Sequence, residues 1–174
     1  MKSRTAGLAF FIFALVSIYV FMKKKEFYYL LIFFENLVAG FCFFYRTEAT
    51  SKAGLLATLA SYVCMLIPMC YFKSVTSLGP QQEFMSGVLL IVGVTIVTLV
   101  TLDLGKSNGI RPAKREVVKC GLYRFFNHPM YFGHSISQLS FIIKNPLNIY
   151  IYPFSILLFV YRARIENRLL RSAD

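Results

Sequence analysis

Lys119-Cys-Gly-Leu-Tyr-Arg-Phe-Phe-Asn-His-Pro-Met-Tyr-Phe-Gly-His134 holds both histidines of the chain and joins its longest polar segment to its last apolar ones. Gly121, Pro129 and Gly133 punctuate a basic, aromatic approach that runs directly into sequence apolar enough for lipid. A polar site at a bilayer surface would be built from a stretch of this kind. The segments on either side are of the type needed to hold it there.

Of the 174 residues, 57% are hydrophobic and 16% are charged. An average soluble domain is about half apolar and about a quarter charged. The composition therefore predicts a single domain, residues 1–174, whose solvent is lipid. The net charge of +11 sits in short runs between apolar segments. Such runs suit membrane orientation and lipid headgroups rather than nucleic acid. Cys42, Cys64, Cys70 and Cys120 form no C-x-x-C pair, and with two histidines they give no zinc cage. Buried free thiols are expected, and no metal site.

Residues 6–22 form an apolar run behind Lys2 and Arg4, ended by Lys23-Lys24-Lys25-Glu26. A second apolar stretch follows at once, which predicts a transmembrane helix rather than a cleaved leader. At 1.5 Å per residue the run spans roughly 26 Å, a little short of a hydrocarbon core, and the lysine stems can make up the difference. Further helices are expected at 27–45, 54–72 and 84–102, the first two helices forming an antiparallel hairpin. Glu35 and Asn36 fall near the middle of the second. A carboxylate at that depth is either a pocket residue or hydrogen-bonded to a neighbouring helix. Pro68 predicts a kink late in the third helix. Thr95, Thr98 and Thr101 lie along one side of the fourth, where back-bonding to their own helix is the commoner role.

Residues 103–126 are the long polar connection. Beyond it, apolar runs at 131–143 and 147–161 flank Lys144-Asn145-Pro146, a turn signal, and predict a final helical hairpin. Its second arm is expected to kink at Pro153 and to continue as helix through Leu170. If the 103–126 loop is cytosolic, so are the N-terminus, the 46–52 loop and the C-terminal tail. Fourteen of the nineteen basic residues then lie on that side, as the positive-inside tendency requires.

Taken singly, the polar residues of this face have ordinary readings. His128 before Pro129 is a turn residue, His134 an interfacial histidine, and Arg162–Glu166 a helical i,i+4 ion pair. The aromatics from Tyr123 to Phe132 suit an interface belt.

In combination they are more specific. Gly121-Leu-Tyr123-Arg124-Phe-Phe-Asn-His128-Pro129-Met-Tyr131-Phe-Gly133, then Asn145-Pro146, then Arg162-x-x-x-Glu166-x-x-x-Leu170 resemble the isoprenylcysteine carboxyl methyltransferase family. These are integral-membrane methyltransferases to which the phospholipid N-methyltransferases are related. The likeness covers residues 102–170. Leu104-Gly105-Lys106-Ser107 and Glu116-Val117-Val118-Lys119 are also similar to that family's approach to its cofactor loop. Asn127 stands where the family pattern has Arg, and Asn167 where it has a second Glu.

The apolar runs and the resemblance together predict an all-α, polytopic membrane helix bundle. Four transmembrane helices (1–102) would lead into a cytosolic cofactor loop (103–130) and a C-terminal helical hairpin and tail (131–174). The resemblance also implies S-adenosylmethionine (S-adenosyl-L-methionine) as cofactor, held by Glu116, Val117, Val118, Tyr123, His128, Pro129, Tyr131 and Glu166. Arg162 would be the catalytic residue, orienting an anionic group of a lipophilic acceptor. A carboxylate or thiolate acceptor needs no general base near neutral pH, so an isoprenylcysteine-type carboxylate or a thiol is favoured over an amine. Prenylated peptides, phospholipids and isoprenoid acids all remain as acceptors, and membrane lipids as surroundings. A bacterial-type inner membrane is favoured over the endoplasmic reticulum, and the oligomeric state is left open. Two other functions fit part of the pattern. Membrane sterol-type reductases carry a similar His-Pro-x-Tyr-x-Gly and use NADPH, and a non-catalytic lipid-binding scaffold would need only the bundle.

Overall fold

The computed structural model describes residues 2–25, 27–46, 51–72, 78–109, 113–114, 118 and 120–171. Among the described residues, six α-helices carry the fold: α1 (Lys2–Lys24), α2 (Phe27–Phe44), α3 (Leu55–Leu66), α4 (Pro80–Leu104), α5 (Pro129–Lys144) and α6 (Tyr152–Arg171). Two-residue strands β1 (Ser51–Lys52) and β2 (Ala113–Lys114) pair antiparallel, Ser51 opposite Lys114. Residues 51–52 and 113–114 therefore meet at one end of the bundle.

Among the described residues, three spans are long and apolar enough to cross a bilayer: Arg4–Lys24, Phe27–Phe44 and Pro80–Ser107. The chain is an integral membrane protein, but the expected third span at 54–72 is shorter than its apolar run. Its α-helix stops at Leu66, and Ile67–Cys70 is a 3₁₀ turn containing Pro68. Proline has no N–H to continue the ladder, so Pro68 ends the α-helix where a kink was expected. Pro153 also differs from expectation. Residues 146–150 form a separate 3₁₀ turn, which puts Pro153 in the first turn of α6, where a missing N–H costs no hydrogen bond.

Helices α1 and α2 run antiparallel. A Cβ on Gly7 would lie 3.1 Å from Gly40 O, and Phe10 stacks on Phe43 at 5.1 Å. α4 packs along both α2 and α5. At the α4–α5 crossing Gly93 and Gly133 bring the two backbones together: a Cβ on Gly133 would lie 2.9 Å from both Ile96 Cγ2 and Val97 Cγ2, and one on Gly93 would strike the Ser137 backbone. Apolar solvent gives helices no hydrophobic reason to associate, so such close small-residue contacts hold them. Thr98 and Thr101 back-bond to Val94 O (2.9 Å) and Val97 O (2.8 Å).

The expected terminal hairpin is looser than a pair of packed arms: α5 lies chiefly on α4, and α6 touches α3 more than α5. Asn145 Oδ1 accepts from Leu147 N at 3.1 Å, closing the Asn-Pro turn. Asn148, fully buried, then joins three segments. Its Oδ1 accepts from Phe72 N (2.8 Å), while its Nδ2 donates to Phe72 O (3.2 Å) and Phe141 O (2.7 Å). Tyr71 adds a hydrogen bond to Gln138 Oε1 at 3.0 Å. The end of α3 is thereby tied to α5.

Glu35 is half-buried midway along α2, and its neighbour Asn36 back-bonds to Ile32 O at 2.8 Å. The cysteines are unpaired; Cys64 is buried, Cys42 half-buried, and Cys70 and Cys120 are exposed where burial was expected.

Candidate active site

The site is set by how α5 begins. His128 is the residue before the helix, with φ −138° and ψ 61°, and Pro129 opens the first turn, fully buried. Gly133 faces α4 at the close crossing. Tyr131, two residues earlier and so on the other side of α5, faces α6. Tyr131 donates to Glu166 Oε1 at 2.6 Å. His128 Nδ1 lies 3.6 Å from Glu166 Oε2, and its Nε2 lies 3.1 Å from Asn167 Oδ1. Arg162 Nη2 lies 3.6 Å from Glu166 Oε1, with its guanidinium 5.3 Å from the centre of the Tyr131 ring.

One carboxylate thus gathers a phenol, an imidazole and a guanidinium from two helices. The side chains of Arg162, His128 and Glu166 are 12%, 21% and 26% exposed, so the cluster is partly dry yet open to a ligand. Tyr131 stacks between rings, 5.3 Å from Phe159 and 5.6 Å from His128. His134, expected at an interface, also stacks on Phe159, at 6.1 Å. Tyr123, in the 3₁₀ turn Gly121–Arg124, is near enough to feel the Glu166 charge. Burial, then the nearby Glu166 and Asp103 carboxylates, push its phenol well above the ordinary tyrosine range. It remains a neutral hydrogen-bond donor.

Of the residues singled out from sequence, Tyr123, His128, Pro129, Tyr131, Arg162 and Glu166 come together. Val118 is half-buried in the connecting loop, and Glu116 and Val117 lie outside the described residues. Sequence reasoning missed three contributors. Phe159 lies on the α6 face of Arg162 and Glu166, at helical spacing that could have flagged it. Cys64 of α3 lies within electrostatic reach of the Arg162 guanidinium, and no local motif announces it. Asn167, noted only as a departure, is the partner of His128. Beside the cluster, an apolar groove of about 560 Å³ runs between α3 and α6, lined by Leu55, Leu56, Tyr161, Ile165 and Leu169 with Arg168 at its edge.

A helical membrane bundle with a charged, aromatic-walled cluster at one end is the class that fold and site define. Residues 82–173, more than half of the chain, match the phospholipid methyltransferase family model, and the chain belongs to that family of membrane methyltransferases. The match begins inside α4 and takes in every element of the cluster except Cys64. No curated protein and no solved structure is significantly similar to the chain.

Proposed function

We propose that the protein transfers a methyl group from S-adenosylmethionine to a lipophilic acceptor taken from the surrounding bilayer. The carrying observation is the convergence of Tyr131, His128 and Arg162 on the Glu166 carboxylate. The donor set suits this cofactor. Glu166 offers a carboxylate for an ammonium group in a charge-assisted bond. The face of Tyr123 suits a sulfonium by cation–π attraction. His128 and Arg162 supply donors for a carboxylate or ribose oxygen. When bound, S-adenosylmethionine supplies an electrophilic methyl. The chain's own task is then to align and desolvate two reactants.

Arg162 orients an anionic group of the acceptor and balances Glu166, and the groove between α3 and α6 accommodates hydrocarbon. The family name favours a phospholipid or a related amphiphile; a carboxylate head group needs no general base, whereas an amine would have to pass its proton to His128 or Glu166. The end of the bundle where β1 meets β2 is the cytosolic one, because the basic residues gather there. Purified protein in detergent, titrated with S-adenosylmethionine and with NADPH, tests the reading. Binding of the first that is lost in Glu166→Ala supports it, and affinity for NADPH alone overturns it. Radiolabelled cofactor offered with total membrane lipids and with prenylcysteine analogues then identifies the acceptor.

A further inference from the structure

Asp103 occupies the last turn of α4, the negative end of the helix dipole, where a carboxylate is disfavoured. Its role is found across the loop. Its Oδ2 accepts from Leu122 N at 3.1 Å. Gly121, at φ +55°, has its Cα directly against the same carboxylate, so that a Cβ there would overlap both Asp103 oxygens. Leu122 is in turn the centre of the turn, its carbonyl accepting from Phe125 N and Phe126 N, each at 3.1 Å. Tyr123 is the next residue, held also by its N–H to Cys120 O at 3.1 Å.

We infer that Asp103 is a positioning residue: by gripping Leu122 N–H over the bare Cα of Gly121, it sets the turn that presents Tyr123 to the Glu166 cluster. Two independent features require this pairing. Only glycine takes the left-handed conformation at 121 without strain, and only the absence of a side chain there admits the carboxylate. Asp103 touches neither the Tyr131–Glu166 pair nor the groove. Its effect on function therefore passes through Tyr123, and that functional part rests on the reading of the cluster as a cofactor site.

The test uses the full chain in detergent, first without cofactor. Hydrogen exchange at the Leu122 amide should accelerate by about tenfold or more in Asp103→Ala, the loss expected for one hydrogen bond to a charged acceptor. Asp103→Asn keeps an acceptor oxygen and should restore most of the protection. Gly121→Ala should destabilise the wild-type chain more than the Asp103→Ala chain, since the second mutation removes the overlap. In turnover, Asp103→Ala should raise the KM for S-adenosylmethionine by roughly tenfold with a smaller change in kcat, and Asn should rescue it. Unchanged Leu122 exchange in Asp103→Ala, or additive effects of the two substitutions, overturns the clamp. If the wild type binds no S-adenosylmethionine while Leu122 loses protection in the variant, the clamp stands and the cofactor assignment falls.

Discussion

Tyr131 and Glu166 are 35 positions apart and lie on different helices, yet they share a 2.6 Å hydrogen bond. That bond is the shortest link between the histidine–proline turn and the C-terminal helix. The phenol both orients the carboxylate and lends it a ring to lie beside. Tyr131→Phe keeps the ring, its stacking on Phe159 and the Arg162 contact, and removes only the donor. Affinity for S-adenosylmethionine should fall roughly tenfold, in line with loss of a hydrogen bond to a charged group. Glu166→Ala should lose at least about a hundredfold, because it also leaves Arg162 and His128 without their common partner. Equilibrium binding of labelled cofactor in detergent reads both, and equal losses in the two variants would contradict this division of roles.

Gly133→Ala and Gly93→Ala should each lower thermal stability, because the added methyl meets the facing helix rather than open space. Overpacking of this kind costs about 1–3 kcal/mol, and here two backbones would have to separate. Gly87, in the same helix as Gly93, faces nothing within 4 Å. Gly87→Ala should be neutral or mildly stabilising, since alanine is the better helix former. Thermal unfolding of the three variants in one detergent separates crossing from propensity.

Asn148 offers a different test, because both halves of its amide are used. Asn148→Asp keeps the acceptor for Phe72 N but turns an oxygen toward the carbonyls of Phe72 and Phe141. It should destabilise the protein more than Asn148→Ala, by several kcal/mol on the order expected for an unpaired buried charge. A ranking with alanine worse than aspartate would show that the acceptor bond alone matters.

Much of this arrangement could be read from residue order, and the limits have physical causes. Apolar runs and lysine breaks located α1, α2 and α4, since lipid demands long helices with satisfied backbones. The meeting of His128, Tyr131, Arg162 and Glu166 was legible because a motif and an i,i+4 pair lay on loops and tails of like charge. Pro68 and Pro153 were misread as kinks because a proline's effect depends on where its helix starts and stops, which apolar runs leave open. Cys64, Asn148 and Asp103 were not visible as partners. Each acts across more than a dozen residues on a backbone group or guanidinium, and only packing brings such groups together.

Tyr123 yields a pH prediction. Burial and two carboxylates push its phenol up, so the neutral form is favoured and persists well past the pH at which a free tyrosine ionises. Between roughly pH 6 and pH 9, below even the ordinary tyrosine value of about 10, the rate profile of Tyr123→Phe should keep the wild-type shape while its amplitude falls. A wild-type limb in that window that disappears in the variant would mean that the phenol ionises within it.

Arg162 distinguishes a charge from a shape. Its guanidinium lies over the Tyr131 ring, 3.6 Å from Glu166, with the Cys64 thiol in its electrostatic reach. Lysine in its place keeps the charge but loses the planar fork that can face a ring, a carboxylate and a thiol together. If the charge alone mattered, Arg162→Lys would retain most activity, since a partly exposed ion pair contributes little by itself. The geometry predicts otherwise: Arg162→Lys should lose at least about tenfold in kcat/KM, approaching Arg162→Ala, while binding of S-adenosylmethionine changes by less. Cys64→Ser should lie between wild type and Arg162→Lys, because it keeps a polar partner for the guanidinium at slightly different reach. Cofactor affinity and acceptor turnover measured side by side in these variants decide the matter. A fall confined to cofactor affinity would move Arg162 from the acceptor side of the site to the cofactor side.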